Sequence, residues 1–127
     1  MASLMFTIQK TDKRVIFNIV KFKYSNIEGT VVKNDDRYIV KDNTTLNNLV
    51  VSSTRLNPHK STSGHKHEGQ EEVYMFLEGH GTMELDDKTF PVTAGDTVLI
   101  EDGVFHRVHS DTVELYFVCV FDGTRRT

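Results

Sequence analysis

Hydrophobic and polar residues alternate along the chain in short runs that are separated by turn-forming residues. Alternation with a period of two is typical of a β-strand, because successive side chains point to opposite faces of a sheet. No stretch shows the 3.6-residue periodicity of a long amphipathic helix. The pattern therefore predicts an all-β protein, built as a sandwich or barrel of short strands.

The predicted strands form a leading group and a main group. The leading group, about residues 13–45, has predicted strands at 15–24, 30–33 and 38–40, followed by a polar loop at 42–48. The main group, about residues 49–121, has predicted strands at 49–56, 65–67, 72–77, 82–85, 89–92, 97–100, 105–109 and 113–121. No linker rich in Pro, Gly or Ser separates the groups, so residues 1–127 are predicted to form one domain.

The first candidate for chemistry is a pair of histidines, His65 and His67, followed by Glu72 at the head of an apolar run. Residues two apart in a strand point to the same face, so we expect the two imidazoles side by side. A polar turn at 68–70 would bring Glu72 back opposite them. Two neutral imidazoles and a carboxylate suit a divalent transition metal.

A second stretch supports this interpretation, because Gly95 and Gly103 mark turns and His106 opens another predicted strand. Together the two stretches resemble the motifs of the cupin superfamily, G-x5-H-x-H-x(3,4)-E-x6-G and G-x5-P-x-G-x2-H-x3-N. The matching positions are His65, His67, Glu72 and Gly79 in the first motif and Gly95, Gly103 and His106 in the second.

Three positions depart from the motifs. His59 stands where the first motif has its leading glycine, Glu101 replaces the proline, and Ser110 replaces the final asparagine. None of the three is a ligand position of the family, so the departures leave the implied metal site intact.

The resemblance covers about residues 49–121 and implies a double-stranded β-helix, or jelly-roll barrel, with one metal ion. The implied ligands are His65, His67, Glu72 and His106. Such a set leaves one or two positions open on a five- or six-coordinate ion, which suits Fe, Mn, Co or Ni better than a closed Zn site. Because imidazole ligands must be neutral, binding is expected to weaken as the pH falls through about 6.

Cupins include isomerases, dioxygenases, lyases, decarboxylases and non-enzymatic binders, so the fold alone does not fix the function. We favour a metal-dependent enzyme acting on a small molecule, an isomerase or epimerase of a sugar or other hydroxy-carbonyl compound. No inward residue can yet be named as its base. A non-heme metal dioxygenase and a non-catalytic ligand-binding protein are the alternatives. Cations in the cavity would favour the first, a dry apolar cavity the second, and a coordinatively closed metal the third.

Strand parity divides the neighbouring side chains into two sets. Those sharing a face with Glu72 and His106 are candidates for the wall of a substrate pocket: Tyr74, Phe76, Val104 and Val108. Those on the opposite face are too apolar for water: Val73, Met75, Leu77 and Phe105. Either the leading group of strands covers this outer face or a second copy of the chain does, and we expect a homodimer.

The remaining histidines, His59, His80 and His109, are expected at the surface, the last because its parity is opposite to that of His106. The net charge of −3 provides no basic surplus for binding nucleic acid. No apolar run is long enough to span a bilayer, and the amino-terminal residues do not form a signal peptide. The single cysteine, Cys119, lies in an apolar run, so a buried thiol in a cytoplasmic protein is expected.

Overall fold

The computed structural model describes residues 19–125, which contain nine β-strands and no helix. The strands are β1 Thr30–Asn34, β2 Tyr38–Asn43, β3 Leu49–Leu56, β4 Glu72–Glu78, β5 His80–Leu85, β6 Lys88–Thr93, β7 Thr97–Ile100, β8 His106–Ser110 and β9 Leu115–Asp122. The all-β prediction is confirmed, and every strand of the main group except 65–67 forms within two residues of its predicted bounds. Within 19–125, no helix is long and apolar enough to cross a membrane.

All strand pairs are antiparallel and form two sheets. The larger sheet has the order β1-β2-β3-β9-β4-β7, and the smaller has the order β6-β5-β8. The last strand, β9, lies between β3 and β4, which explains why its side chains are apolar on both faces. The core joins both sheets, with Phe76 and Phe117 of the larger sheet clustered with Met83 and Val108 of the smaller one.

Strand β4 shows the alternation that parity predicted. Glu72, Tyr74 and Phe76 are buried, and the residues between them are half-buried. Across the sheet, Glu72 pairs with Phe121 and Tyr74 pairs with Cys119. The inner face of the larger sheet therefore carries the acidic residue at one end and a tightly packed aromatic core at the other.

The leading group differs from the prediction in two places. Residues 15–18 of the predicted strand 15–24 lie outside the described residues. Residues 19–22 form no regular structure, and residues 23–26 form a turn with one isolated bridge, Lys23 to Asn26, instead of a strand. The predicted loop 42–48 was also placed too early, because β2 continues to Asn43. Asp42 pairs with Ser52 of β3 and is buried.

The residues before β1, here called the leading segment (residues 19–29), cover part of the outer face of the larger sheet. Ile27 is buried against Tyr116 and Val118, and Met75 and Leu77 pack against the same cluster. The Tyr116 hydroxyl donates a hydrogen bond to the Tyr24 carbonyl at 2.6 Å, which fastens the segment in place. Covering by the chain's own leading segment therefore accounts for two of the four outward apolar residues.

Candidate metal centre

Residues 60–67 run alongside β8 without forming a regular strand. Isolated bridges join Ser61 to His109 and His65 to His106. The backbone N–H groups of His65 and His106 each donate to the other's carbonyl, at 3.2 and 3.0 Å. The prediction that 65–67 forms a strand was wrong, because His67 lies past the last bridge and its carbonyl accepts the Gly103 N–H at 3.0 Å.

The three histidines of the two motifs nevertheless meet in space. The ligand nitrogens of His65, His67 and His106 all lie within 4.8 Å of one another. Glu72 Oε1 lies 3.6 Å from His67 Nε2 and 3.5 Å from His106 Nε2. Two ligand atoms about 2.1 Å from one ion and at right angles to each other are about 3 Å apart. The three histidines form a group suited to a single ion after side-chain shifts, and Glu72, which is close to two of them but outside that group, would have to move further to join it.

The His106 ring has a fixed tautomer. Its Nδ1 lies 3.1 Å from the Val104 carbonyl oxygen, which can only accept, so Nδ1 carries the proton and Nε2 the lone pair. Among the described residues, His106 Nε2 is the buried side-chain nitrogen or oxygen that has no hydrogen-bond partner. A buried polar atom without a partner costs free energy, and a metal ion would satisfy it.

The electrostatics of the cluster also fit a cation. Burial, reinforced by His106 and His67, lowers the pKa of His65 to about 4. Burial likewise lowers the pKa of His106, although its bond to Val104 opposes the shift. Both rings are therefore neutral at pH 7, as metal ligands must be. Burial raises the pKa of Glu72 to about 7, so the metal-free carboxyl group holds a proton for about half of the time at that pH.

A small cavity of about 40 Å³ opens beside the cluster, enough for a few water molecules. Of the four side chains predicted to line it, only Tyr74 does so. Phe76 and Val108 lie in the core, since each strand continues past the cavity, and Val104 borders a separate cavity of about 420 Å³. The remaining wall combines polar and apolar groups, among them Lys33, Tyr38, Gln70, Phe117 and Arg125.

Comparison with known proteins agrees with this geometry. The profile of the family described as the cupin domain matches residues 52–121, which is more than half of the chain. The chain belongs to the cupin family. An uncharacterized protein of Methanocaldococcus jannaschii is 29% identical to this cupin over 117 residues, which cover 83% of this chain and 87% of that protein.

Two further similarities come from Thermotoga maritima. An oxalate-binding protein is 34% identical to this cupin over 67 residues, which cover 52% of this chain and 55% of that protein. The crystal structure of a predicted oxalate decarboxylase superposes with a TM-score of 0.70 at 22% identity, covering 83% of this chain and all of that one (100%). At that identity the likeness concerns the fold alone, and it confirms the double-stranded β-helix.

Arg125 and Gln70 are among the cavity residues of this cupin that sequence reasoning missed. Nothing near Arg125 in sequence indicates that it pairs with Asp42, 83 positions away. Gln70 falls in the predicted turn 68–70, where strand parity does not apply, so no local pattern indicated that its side chain is buried. Both line the cavity together with His65 and His67.

The other histidines lie outside the cluster. His80 is exposed, as predicted, with Nδ1 3.2 Å from an Asp111 carboxylate oxygen. His109 points away from the cluster, as its parity required, but it is half-buried instead of lying free at the surface. Its Nδ1 lies 2.6 Å from Ser61 Oγ and its Nε2 donates to Glu84, because the segment 60–67 covers this part of β8.

Proposed function

We propose that this cupin holds one divalent transition-metal ion through His65, His67, Glu72 and His106 and acts on a small molecule bound beside it. The observation that carries the proposal is the unpartnered, buried His106 Nε2, which lies among the other three candidate ligands. Fe, Mn, Ni, Co and Zn all accept this combination of nitrogen and oxygen donors. A bound ion would supply Lewis-acid chemistry by polarising a carbonyl oxygen of the ligand.

The cavity favours a polar ligand, and we propose isomerisation or epimerisation of a hydroxy-carbonyl compound as its reaction. Lys33 and Arg125 line the cavity beside His65, and such cations would neutralise and orient an oxygen-rich ligand. The reaction also requires a group that moves a proton. Outside the ligand set, the Lys33 amine and the Tyr38 hydroxyl are the lining groups suited to that role.

Two alternatives each have an observation in their favour. The stacked rings of Tyr74 and Phe117, with centroids 5.1 Å apart, give the cavity one apolar wall, which would suit a dioxygenase. A non-catalytic ligand-binding role is suggested by the name of the oxalate-binding relative. This role would also explain why, among the described lining residues, no carboxylate or histidine outside the ligand set is available as a base.

We further propose a cytoplasmic homodimer. On the outer face, Val51, Val120, Val73 and Leu99 stand in one row across four neighbouring strands, and Leu99 is 70% exposed. An apolar row of this kind is suited to burial against a second copy. Burial raises the pKa of Cys119 to about 12, so this thiol is unreactive, which is compatible with a reducing compartment.

The test begins with the metal and continues with the reaction. Chains without a polyhistidine tag would be loaded with Mn(II) or Fe(II), dialysed and analysed for metal content, with His80→Ala as the matched control for His106→Ala. About one ion per wild-type and His80→Ala chain, and far less in His106→Ala, is expected. Solvent deuterium incorporated next to the carbonyl of a hydroxy-carbonyl substrate would support an isomerase. Oxygen consumption would indicate a dioxygenase, and binding without turnover would indicate a ligand-binding protein.

A further inference from the structure

Hydrogen bonds hold the residues that follow β9 beside the cavity of the candidate metal site. The Gln70 side-chain amide donates to the carbonyl oxygens of Asp122 and Thr124, at 2.7 and 3.1 Å. Gln70 is only 4% exposed, so these two bonds lie in a protected environment. They fix the path of the chain immediately before Arg125, which lines the same cavity.

Arg125 is held in a defined orientation by a second set of contacts. Its Nε and Nη2 atoms donate to the two carboxylate oxygens of Asp42, at 2.6 and 2.7 Å, and Nη2 also donates to Ser52 Oγ at 2.8 Å. The guanidinium carbon lies 5.2 Å from the centre of the Phe121 ring. Within the described part of the chain, no hydrogen bond involves Nη1, so the two N–H groups of this nitrogen remain as donors for a ligand.

The charges around the cavity favour an anion. Asp42 balances the charge of Arg125, whereas the side-chain amine of Lys33 has no hydrogen bond or ion pair with another residue of 19–125. A divalent ion would keep one positive charge after pairing with the Glu72 carboxylate. The loaded cavity would thus carry about two net positive charges, one from the ion with Glu72 and one from Lys33.

The size of the cavity restricts the class of anion. A space of about 40 Å³ holds a few small groups and would not admit a sugar phosphate without rearrangement. A carboxylate oxygen can accept a charge-assisted hydrogen bond from Nη1 of Arg125, since the other three N–H groups already bond Asp42 and Ser52. A two- or three-carbon acid with one carboxylate beside the ion and another polar group towards Arg125 meets both conditions.

We propose that Arg125 is the specificity-determining residue of this cupin, that its ligand is a small carboxylate of two or three carbons, and that Gln70 and Asp42 are positioning residues for Arg125. The proposal rests on the proposed metal site and narrows its ligand class. It assigns a binding role to the residues that follow the last strand of the barrel, which the cupin motifs do not include.

The experiment measures oxalate binding to the full Mn(II)-loaded chain by isothermal titration calorimetry, with metal content determined on the same samples. Arg125→Gln is compared with Arg55→Gln, a matched control on the outer face, where Arg55 pairs with Glu114 at 3.0 Å and lies over the Tyr116 ring. Loss of charge-assisted hydrogen bonds should weaken oxalate binding by about tenfold or more in Arg125→Gln, while Arg55→Gln should stay within about twofold of wild type. Manganese content should be unchanged in both.

Further variants test the positioning residues and distinguish a loss of oxalate binding from a defect in folding. Arg125→Gln leaves Asp42 buried without its partner, so the double variant Asp42→Asn/Arg125→Gln removes both charges and should show the same loss of oxalate binding. Gln70→Ala should weaken oxalate binding without loss of manganese. It should weaken glycolate binding less, because glycolate lacks the second carboxylate that Arg125 would contact. An equal loss for the two acids would assign Gln70 a purely structural role.

The outcomes separate the inference from the proposed function. Equal oxalate affinity in wild type and both Arg125 variants, with manganese retained, would overturn the inference and leave the metal site standing. Retained manganese with no oxalate binding at millimolar concentration, or with tighter binding of inorganic phosphate, would overturn the carboxylate assignment. A wild-type chain that retains no manganese would overturn the proposed function, and the inference would fail with it.

Discussion

His106 donates its Nδ1–H to the carbonyl oxygen of Val104, two residues earlier in the chain, at 3.1 Å. This single bond determines which ring nitrogen faces the other candidate ligands. Val104 was predicted to contribute a side chain to the cavity wall, but its contribution is a backbone acceptor that orients His106, a candidate ligand. Partners of this kind increase the basicity of a metal-binding imidazole and fix its ring orientation.

The first prediction compares two histidines of the same strand. His106→Ala should reduce metal affinity by at least about tenfold, because it removes a buried ligand nitrogen. His109→Ala should keep the metal and lose about 1–2 kcal/mol of stability, because it breaks the hydrogen bonds to Ser61 and Glu84. Elemental analysis and urea unfolding would measure the two effects. Metal lost from His109→Ala and kept by His106→Ala would show that the facing of β8 is wrong.

The second prediction concerns the pH at which metal binding weakens. The expectation from free histidines was a pH of about 6, but His65, with a pKa of about 4, competes little with metal above that value. Glu72, with a pKa of about 7, holds a proton that the ion must displace. Apparent affinity should therefore fall by up to about tenfold per pH unit below pH 7. A competition titration with a chelator, from about pH 5.5 to about pH 8, would measure the slope. A flat profile down to pH 6 would contradict the assignment to Glu72.

Local sequence specified the ligand cluster well and the rest of the cavity poorly. His65, His67 and Glu72 lie within eight residues of one another, so turn and strand geometry largely determine their meeting. The second motif implied that His106 joins them, and in the structure a backbone bridge holds it beside His65. The pairing of Arg125 with Asp42 depends on β9 entering the sheet beside β3, a long-range event that leaves no mark in local periodicity.

The third prediction concerns the stability of the metal-free chain. The pKa of Glu72 rises on folding from 4.5 to about 7, so its contribution to stability is fully present below pH 4.5 and is lost as the pH rises through 7. Glu72→Gln does not titrate. Its stability relative to wild type should therefore increase by about 3 kcal/mol between pH 4.5 and pH 8.

Urea unfolding of both metal-free chains at several pH values would measure this difference. His65 has the opposite sign, since its lowered pKa gives stability above pH 6.5 that is lost as the pH falls through about 4. That trend is present in both chains and cancels in the comparison. A stability difference that does not change with pH would contradict the raised pKa of Glu72.

The fourth prediction concerns the homodimer. Met75 and Leu77 of the outer face are covered by the leading segment, whereas Leu99 at the end of the apolar row is exposed. Leu99→Lys should place a charge in the contact and convert a dimer into a monomer, with little effect on folding. Light scattering at micromolar concentration would measure the mass, with Lys88→Glu as an exposed control. A monomeric wild-type chain would contradict the proposed dimer.

The last prediction separates two glycines that the motifs treat alike. Gly79 and Gly95 both have positive φ angles, +87° and +100°, which strain any residue with a Cβ atom. A Cβ at Gly79 would lie 2.2 Å from the Glu114 carbonyl oxygen, which is backbone and cannot move aside, whereas a Cβ at Gly95 would meet no atom within 4 Å.

Gly95→Ala should therefore cost only the conformational strain, about 1–2 kcal/mol, and Gly79→Ala should cost about 3 kcal/mol or more because the clash adds to it. Urea unfolding of metal-free chains would measure both, so that the ion does not mask the difference. Gly79 directly follows the irregularity where the pairing of β4 with β9 shifts between Phe76 and Glu78, and its backbone lies close to that of Glu114, just before β9. Equal costs for the two substitutions would mean that the chain relaxes around Gly79 and that its motif position reflects the turn alone.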